Sequence, residues 1–527
     1  MSASEDTPTR NAQIAPAVAR KGSAWQMTVS DERRLVRAVR DRAFWTPTRI
    51  AGVAFILVGA VGAISVVAAR GLTSAAEAPL VTTAALTLVG VGALFAPRRG
   101  DSGGARTVQL ILWMVAALVL VNIALAWINL DLWGWRAPML VPSIDPIGID
   151  FRASYAAAQQ FSVTPTSWPP FTVVLATPYL LLGPNAAYVV HVGVLIALNV
   201  GALGLAAAVL RSQDVDGRPL PGPAVDHVGL LAPAFAVWLF VSYGFLFSVE
   251  RGNYDAFPAF LAMLGLWSLV RRPAGVWLPV IAFSLAASIK VYPALLLLLV
   301  LWRFRWKSVV PLVVCNVVLA LSAGPENLAR FLSGVTSMQA GGMDYLGVGN
   351  SSAKSFSAWI DSLHKAYLPH LPTALLIAVP ILVFGFTVWH LWRRRDHAST
   401  VLMLCAMVPL MFVVPSISHD YKLVLLAGPA VLLAGLLMRR IGRGSAEPWW
   451  MLLMLCLALF LVARPPGLVW PAILQNKYLP VLLFQIVVAW MAWRLPASVA
   501  PETVGGDLPP GNAPPKVAAI PSLLLDS

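Results

Sequence analysis

Long apolar runs are the feature that most constrains this chain. Between residues 48 and 495 the sequence falls repeatedly into stretches of roughly 17–25 mostly apolar residues, the length that crosses a hydrocarbon layer as an α-helix. Apolar residues make up 58% of the chain and charged residues 12%, which is more apolar surface than a soluble domain buries. Because no water reaches backbone groups at membrane depth, the runs must be helical. The sequence therefore predicts an all-α polytopic membrane protein.

The apolar runs predict about fourteen transmembrane helices. We place them near residues 48–69, 80–97, 108–129, 185–210, 227–248, 254–270, 274–290, 291–303, 308–323, 372–392, 399–416, 420–438, 448–463 and 478–495. A further apolar run, 170–183, carries four prolines, two inside it and two directly beside its ends. We interpret it as a juxtamembrane or re-entrant helix on the outer side, because a full span there would place Arg271 and Arg272 outside.

Short basic clusters at the ends of the runs orient the predicted helices. With these spans the clusters all fall on one side, which the positive-inside bias makes the cytoplasm. They are Arg98-Arg99, Arg271-Arg272, Arg303 with Arg305 and Lys307, Arg393 to Arg395, and Arg439-Arg440 with Arg443. The formal net charge of +14 is accounted for by this topology, so we expect no nucleic-acid partner. The expected location is the plasma membrane.

Composition divides the chain into four parts. Residues 1–45 are polar and basic and predict a cytoplasmic tail without a signal peptide. Residues 46–107 predict an added transmembrane hairpin, and residues 108–495 the membrane core. Residues 496–527 are rich in Pro, Gly and Ala and predict a disordered cytoplasmic tail.

Polar residues collect in the two long outer segments, roughly 130–184 and 324–371. The first segment holds Asp145 and Asp150, followed by Tyr155 and Trp168. A carboxylate at the membrane surface can act as a general base towards a sugar hydroxyl, provided that it is ionised and within hydrogen-bond reach. A solvated or helix-capping aspartate is the alternative interpretation.

Short outer turns carry a second group of polar residues, and the chain must reverse near Lys290. The turns supply Arg251, Asn253 and Asp255, then Lys290 and Tyr292, then His419 to Lys422. Cations on the outer side run against the positive-inside bias and suggest an anionic ligand such as a lipid phosphate. Snorkelling of single lysines to lipid headgroups is the alternative.

Two serines in the second outer segment complete the candidates. Ser351 and Ser352, in the sequence Gly349 to Ser355, can hydrogen-bond a phosphate or a sugar, although a Ser-rich turn is equally typical of a helix start. Histidines elsewhere have no spacing that builds a metal site, and we expect them at span ends or in loops. No metal or other cofactor is predicted.

The same residues resemble those of a known family. The chain is similar to polyprenyl-phosphate-sugar-dependent glycosyltransferases of the GT-C superfamily, in particular the actinobacterial alpha-mannosyltransferases. The similarity covers about residues 145–425. It rests on Asp150-x-x-x-x-Tyr155, Trp168-Pro169-Pro170 with Pro178, Gly252-Asn253, Ala274-Gly275 to Ile289-Lys290-x-Tyr-Pro293, Asn350-Ser351-Ser352 and Ser418-His419.

The resemblance implies a GT-C-like bundle with outer loops that carry the active site, and an inverting transfer of a hexose or pentose. Asp150 matches the family's catalytic base, and Lys290 a contact to the donor phosphate. The remaining candidates take supporting roles in this scheme: Arg251, Asn253, Tyr292, Ser351, Ser352 and His419 at the donor, and Asp145, Tyr155 and Trp168 at the acceptor. The expected partners are membrane lipid, a polyprenyl-phosphate-linked sugar, with mannose implied, and a glycolipid or envelope polysaccharide on the outer face.

Two other classes of protein share some of these features. A lipid or sugar transporter or flippase would also have many spans, but repeated halves and interrupted helices around a midplane site would be expected. Here the polar residues are predicted in outer loops instead. A non-catalytic scaffold of envelope assembly would keep the fold and lose the base, whereas this chain has Asp150.

Overall fold

The computed structural model describes residues 148–163, 168–212, 235–236, 238–239, 242–271, 275–340, 355–394, 396–415, 418–442, 448–463 and 477–495. Within these residues the secondary structure is entirely helical. The predicted N-terminal tail and hairpin, the span 108–129, most of the span 227–248 and the C-terminal tail lie outside them. The total of about fourteen spans therefore stays a prediction.

Fifteen α-helices of the described residues are labelled here in chain order. They are α1 Ile149–Gln159, α2 Phe171–Ala176, α3 Pro184–Ser212, α4 Tyr243–Arg251, α5 Ala256–Val270, α6 Trp277–Ile289, α7 Leu297–Phe304, α8 Val309–Ala320, α9 Pro325–Ala340, α10 Phe356–Tyr367, α11 Thr373–Trp392, α12 His397–Val413, α13 Ala427–Gly442, α14 Pro448–Ala463 and α15 Tyr478–Trp493. Four 3-10 segments accompany them, at Thr177–Leu181, Tyr292–Leu296, Arg305–Ser308 and Asp420–Leu426.

Three of the described helical segments are long and apolar enough to cross a membrane: Pro184–Arg211, Thr373–Trp392 and Asp420–Arg440. A fourth is possible if Tyr292–Ala320 and Pro325–Val335, which meet at a bend of 93°, form one broken span. Five shorter apolar helical segments of 10–17 residues are also present among the described residues. The protein is therefore an all-helical membrane protein in the part of the chain that the structure describes.

Burial separates the helices into a centre and a periphery. The apolar window of Asp420–Arg440 is 100% buried, whereas that of Thr373–Trp392 is only 11% buried. Helix α11 is apolar around its whole circumference, as expected of a helix that faces lipid. The 3-10 segment Asp420–Leu426 and α13 thus form the core of the bundle, and α11 presents its side chains to the surroundings.

Small residues let the helices approach this core closely. A Cβ at Gly428 of α13 would lie 2.6 Å from the sulfur of Met263 in α5, and one at Gly435 would lie 2.4 Å from Leu210 in α3. Close packing of this kind is a main source of helix association in membranes, where lipid is as apolar as the side chains. These contacts pack α13 directly against α5 and α3.

Two breaks in the helices match features read from the sequence. The apolar run predicted as a re-entrant helix forms α2 and the 3-10 segment after it, which together reach only from Phe171 to Leu181. Helix α6 ends at Ile289, and Lys290 has an extended backbone, at the position where the chain was expected to reverse. Both breaks lie beside the polar residues described next.

Candidate active site

Four distant parts of the chain meet in one polar cluster. The start of α1 contributes Asp150, and the turn between α4 and α5 contributes Arg251, Asn253 and Asp255. The break after α6 contributes Lys290 and Tyr292, and the central segment contributes His419, Tyr421 and Lys422. We call these nine residues the polar cluster.

Gly252 makes the approach of α1 and α4 possible. It ends α4 in the left-handed conformation, with φ of +65°, which glycine adopts without strain. A Cβ there would lie only 2.6 Å from the Cβ of Phe151. The glycine therefore brings Arg251 and Asn253 directly against the first turn of α1, which carries Asp150.

The Asp150 carboxylate accepts three hydrogen bonds. Arg251 donates from Nε to Oδ2 at 2.9 Å and from Nη2 to Oδ1 at 2.5 Å. Asn253 donates from Nδ2 to Oδ2 at 2.8 Å. The forked guanidinium contact is the geometry in which arginine binds a carboxylate most strongly. Asp150 is thus oriented by two neighbouring side chains of one turn.

The surroundings keep the Asp150 side chain ionised. Burial on its own would raise the pKa of this carboxyl, but the hydrogen bonds and charge of Arg251 outweigh it, helped by Lys290 and Asn253. The net result is a pKa below the ordinary value of 3.8. Asp150 is therefore a carboxylate at neutral pH, the form that can accept a proton.

Lys290 lies beside aromatic rings in the same cluster. Its Nζ is 5.4 Å from the ring centroid of Trp168 and 5.8 Å from that of Tyr421. These distances allow cation–π attraction. Lys290 is only 7% exposed. It is therefore an interior lysine and does not extend to the membrane surface.

Asp255, Tyr292 and Lys422 form the deepest part of the cluster. The Tyr292 hydroxyl donates to Asp255 Oδ1 at 2.5 Å. Lys422 Nζ lies 4.4 Å from the centroid of the Tyr292 ring, and both Lys290 and Lys422 act electrostatically on Asp255. Asp255 and Lys422 were noted in the sequence as polar residues of outer turns, but a shared position was not evident there.

His419 stacks on Tyr421, with ring centroids 4.9 Å apart. Burial lowers the pKa of His419 to about 3, and the positive charge of Arg251 adds to the effect. The imidazole is therefore neutral at physiological pH, and it adds no positive charge to the cluster. Its Nδ1 is buried without a hydrogen-bond partner among the described residues.

A second buried ion pair lies next to the cluster. Lys477, just before α15, contacts Asp420 at 3.1 Å, and both side chains are buried. Tyr243 of α4 also hydrogen-bonds Asp420. This role of Lys477 is not evident from the sequence, because a lysine directly before an apolar run is also typical of an ordinary membrane boundary.

His191 stabilises the turn that carries the site. We expected histidines at span ends or in loops, but His191 lies inside α3. Its Nδ1 is 3.1 Å from the Tyr179 hydroxyl and its Nε2 is 3.1 Å from the carbonyl oxygen of Gly252. It therefore holds the Gly252 turn, and its ring also stacks on Phe151 with the centroids 4.7 Å apart.

The other predicted site residues differ in position. Trp168 borders the cluster through Lys290. Tyr155 is buried and donates its hydroxyl to the Leu182 carbonyl at 2.7 Å, so it anchors α1 to the loop before α3. Asp145, Ser351 and Ser352 lie outside the described residues, and their roles stay predictions. Across the described ranges no group of three or more His, Cys, Asp or Glu side chains is arranged to hold a metal.

Comparison with known proteins indicates the class. Residues 167–416, just under half of the chain, match the family model described as Glycosyltransferase family 87. This part of the chain is therefore similar to a family of membrane glycosyltransferases, a GT-C family that depends on polyprenyl-phosphate sugars and includes actinobacterial mannosyltransferases. Neither a curated protein nor a solved structure matches the chain. The matched range includes Arg251 and Lys290, while Asp150 and His419 lie just outside it.

Proposed function

We propose that this protein transfers one sugar from a polyprenyl phosphate donor to a hydroxyl group of a glycolipid or envelope glycan, with inversion at the anomeric carbon. The observation that carries the proposal is the meeting of an ionised carboxylate, Asp150, with buried cations in an otherwise apolar bundle. A base and a phosphate-binding group are the two functions that such a transfer needs.

Asp150 is the proposed general base. An ionised carboxylate can accept about four hydrogen bonds, and Arg251 and Asn253 supply three. One acceptor position on Oδ1 thus remains for the acceptor hydroxyl. As Oδ1 takes the proton, the hydroxyl oxygen bonds to the anomeric carbon, and the carbon–oxygen bond to the lipid phosphate breaks with its electron pair staying on the phosphate.

Lys290 is the proposed contact to the leaving phosphate. The phosphate gains negative charge as the bond breaks, and cations fixed in advance in a water-poor site stabilise that charge without reorganisation. Arg251 is one of the predicted donor-binding residues, and in the structure it is paired with Asp150. We therefore give it the role of orienting the base, with the phosphate contact left to Lys290.

The sugar, acceptor and orientation complete the proposal. The family resemblance supports mannose as the sugar. The basic clusters at Arg271, Arg303 and Arg394 support a plasma-membrane enzyme whose active site faces the periplasm or the cell exterior. His419 and Trp168 line the cluster and are proposed to contact the donor and the acceptor, respectively.

Purified protein in lipid nanodiscs tests the proposal with a panel of radiolabelled polyprenyl-phosphate sugars and membrane glycolipid acceptors. We expect transfer of a single sugar, with polyprenyl phosphate mannose the best donor and with inverted anomeric configuration in the product. If the protein transfers no sugar but moves a labelled lipid across the bilayer of a proteoliposome, it is a transporter and the proposal fails.

A further inference from the structure

We propose that Asp255 is a specificity-determining residue, which limits the charge of a phosphate site formed by Lys290 and Lys422 so that it accepts a lipid monophosphate in preference to a diphosphate. This inference rests on the proposed function, since it describes the phosphate end of the same donor. It assigns a purpose to two buried charges, Asp255 and Lys422, that the transfer step does not use.

Asp255 is placed as a counter-charge and not as a helix cap. It immediately precedes α5, but its side chain makes no capping hydrogen bond to that helix. It is fully buried, one oxygen is engaged by the Tyr292 hydroxyl, and Oδ2 has no hydrogen-bond partner among the described residues. A buried carboxylate oxygen without a partner is costly, so its retention here points to an electrostatic task.

Lys290 and Lys422 are the two lysines whose charges act on the Asp255 carboxylate. Both are buried, with 7% and 4% of their surface exposed. Lys422 lies over the Tyr292 ring and Lys290 beside the Tyr421 ring, and the charges of both act on Asp255. Two buried ammonium groups thus act on one buried carboxylate in a water-poor environment.

Counting charges gives the site a formal excess of one positive charge. The Arg251–Asp150 and Lys477–Asp420 pairs are each neutral, and His419 is uncharged. Asp255 and Lys422 form a neutral pair whichever of the two holds the proton, so Lys290 leaves the site with one formal positive charge. A sugar-linked monophosphate is a diester with one negative charge, whereas a sugar-linked diphosphate carries two. The site therefore matches the monophosphate and leaves the diphosphate with an uncompensated charge.

Sugar-free probes test this charge rule separately from catalysis. We would measure binding to the protein in neutral-lipid nanodiscs of two prenyl lipids with the same chain, a prenyl methyl phosphate diester and a prenyl methyl diphosphate diester. Wild type should prefer the monophosphate. Asp255→Asn keeps the size of the side chain, removes one negative charge, and should reduce that preference about tenfold or more, mainly by tighter diphosphate binding.

Lys422→Met provides an independent variant, because it lowers the site charge where Asp255→Asn raises it. It should weaken both probes and the diphosphate more, so that the preference for the monophosphate increases. Lys365→Met, at an exposed lysine paired with Asp361 on α10, is the matched control and should change neither affinity.

Two results would overturn the inference. One is an equal loss of both probes in Asp255→Asn with a normal unfolding temperature, as a purely structural aspartate would give. The other is an unchanged preference in Lys422→Met, which decides the question even if Asp255→Asn does not fold. A wild type that shows the charge preference but transfers no sugar would refute the proposed function and leave the phosphate site in place.

Discussion

Arg251 donates two hydrogen bonds to Asp150, a residue 101 positions earlier in the chain. The contact joins the end of α4 to the start of α1. Lys290 acts on the same carboxylate, since the positive charges of Arg251 and Lys290 both lower the pKa of Asp150. The pair therefore links the stability of the fold to the ionisation of the proposed base.

Removal of Arg251 should destabilise the protein. Arg251→Met removes the charged partner of Asp150 and leaves only Asn253 bound to it among the described residues. Hydrogen bonds to charged groups contribute about 1.5–3 kcal/mol each. Because Arg251 donates two such bonds, we expect a loss of about 3–6 kcal/mol of unfolding free energy, measured in detergent by reversible denaturation. Lys365→Met breaks an exposed ion pair and should cost no more than about 0.5 kcal/mol. Equal effects of the two variants would contradict the assigned geometry.

The stability difference between wild type and Arg251→Met should depend on pH in one direction. The pKa of Asp150 is lowered below 3.8 in the folded protein, so the stabilisation by the pair is complete above that value and is lost as the pH falls through the lowered pKa. Without Arg251, burial raises the pKa and Asp150 protonates earlier. The difference should therefore be constant near pH 7 and shrink towards acid pH; a difference that grows on acidification would contradict this.

Lys290→Ala should impair the use of the donor. Truncation of one partner of a desolvated charge contact typically costs about 2–5 kcal/mol, so the KM for the polyprenyl-phosphate sugar should rise about tenfold or more. Lys290→Arg should recover only part of the loss, because a planar guanidinium does not replace a compact ammonium group. Unchanged donor dependence in Lys290→Ala would reduce Lys290 to a structural residue.

Lys477→Met should destabilise the bundle more than any substitution of an exposed lysine. It leaves Asp420 buried with Tyr243 alone, and breaking a buried ion pair costs about 3–5 kcal/mol. The double variant Lys477→Met with Asp420→Asn removes the orphaned charge and should regain much of that loss. A single variant as stable as wild type in thermal unfolding would show that the pair contributes nothing.

Reporter fusions test the predicted orientation. A reporter placed after Arg395 or Arg440 should be cytoplasmic, because the basic clusters orient the spans, and one placed near Gly342 should be outside. Protease accessibility of the same sites in spheroplasts provides a second measurement. A cytoplasmic reporter at Gly342 would place the active site on the wrong side of the membrane.

The sequence predicted the helices more closely than the contacts between them. The predicted spans 185–210, 372–392 and 478–495 correspond to α3, α11 and α15 within a few residues, because the length of an apolar run determines a span. The polar candidates Asp150, Arg251, Asn253, Lys290, Tyr292 and His419 also meet in one cluster.

Their pairing was beyond the sequence, because it depends on how helices pack. The Arg251–Asp150 fork requires the close approach at Gly252, and no periodicity encodes that distance. Lys477 lies 57 positions from Asp420 and reads locally as a boundary lysine. His191 likewise gave no signal, since a single histidine in an apolar run does not indicate which carbonyl it will contact.

The central claim, that Asp150 is the base, is tested most directly by transfer in the Asp150→Asn variant. The amide keeps the shape of the side chain but cannot accept the acceptor proton, and a positioned base contributes about 10²–10⁴-fold. We predict that the first-turnover rate falls at least about 100-fold, with expression and donor binding near those of wild type. Asp145→Asn, five residues earlier and before Pro146, is the matched control. Loss of transfer in Asp145→Asn with normal transfer in Asp150→Asn would contradict the account.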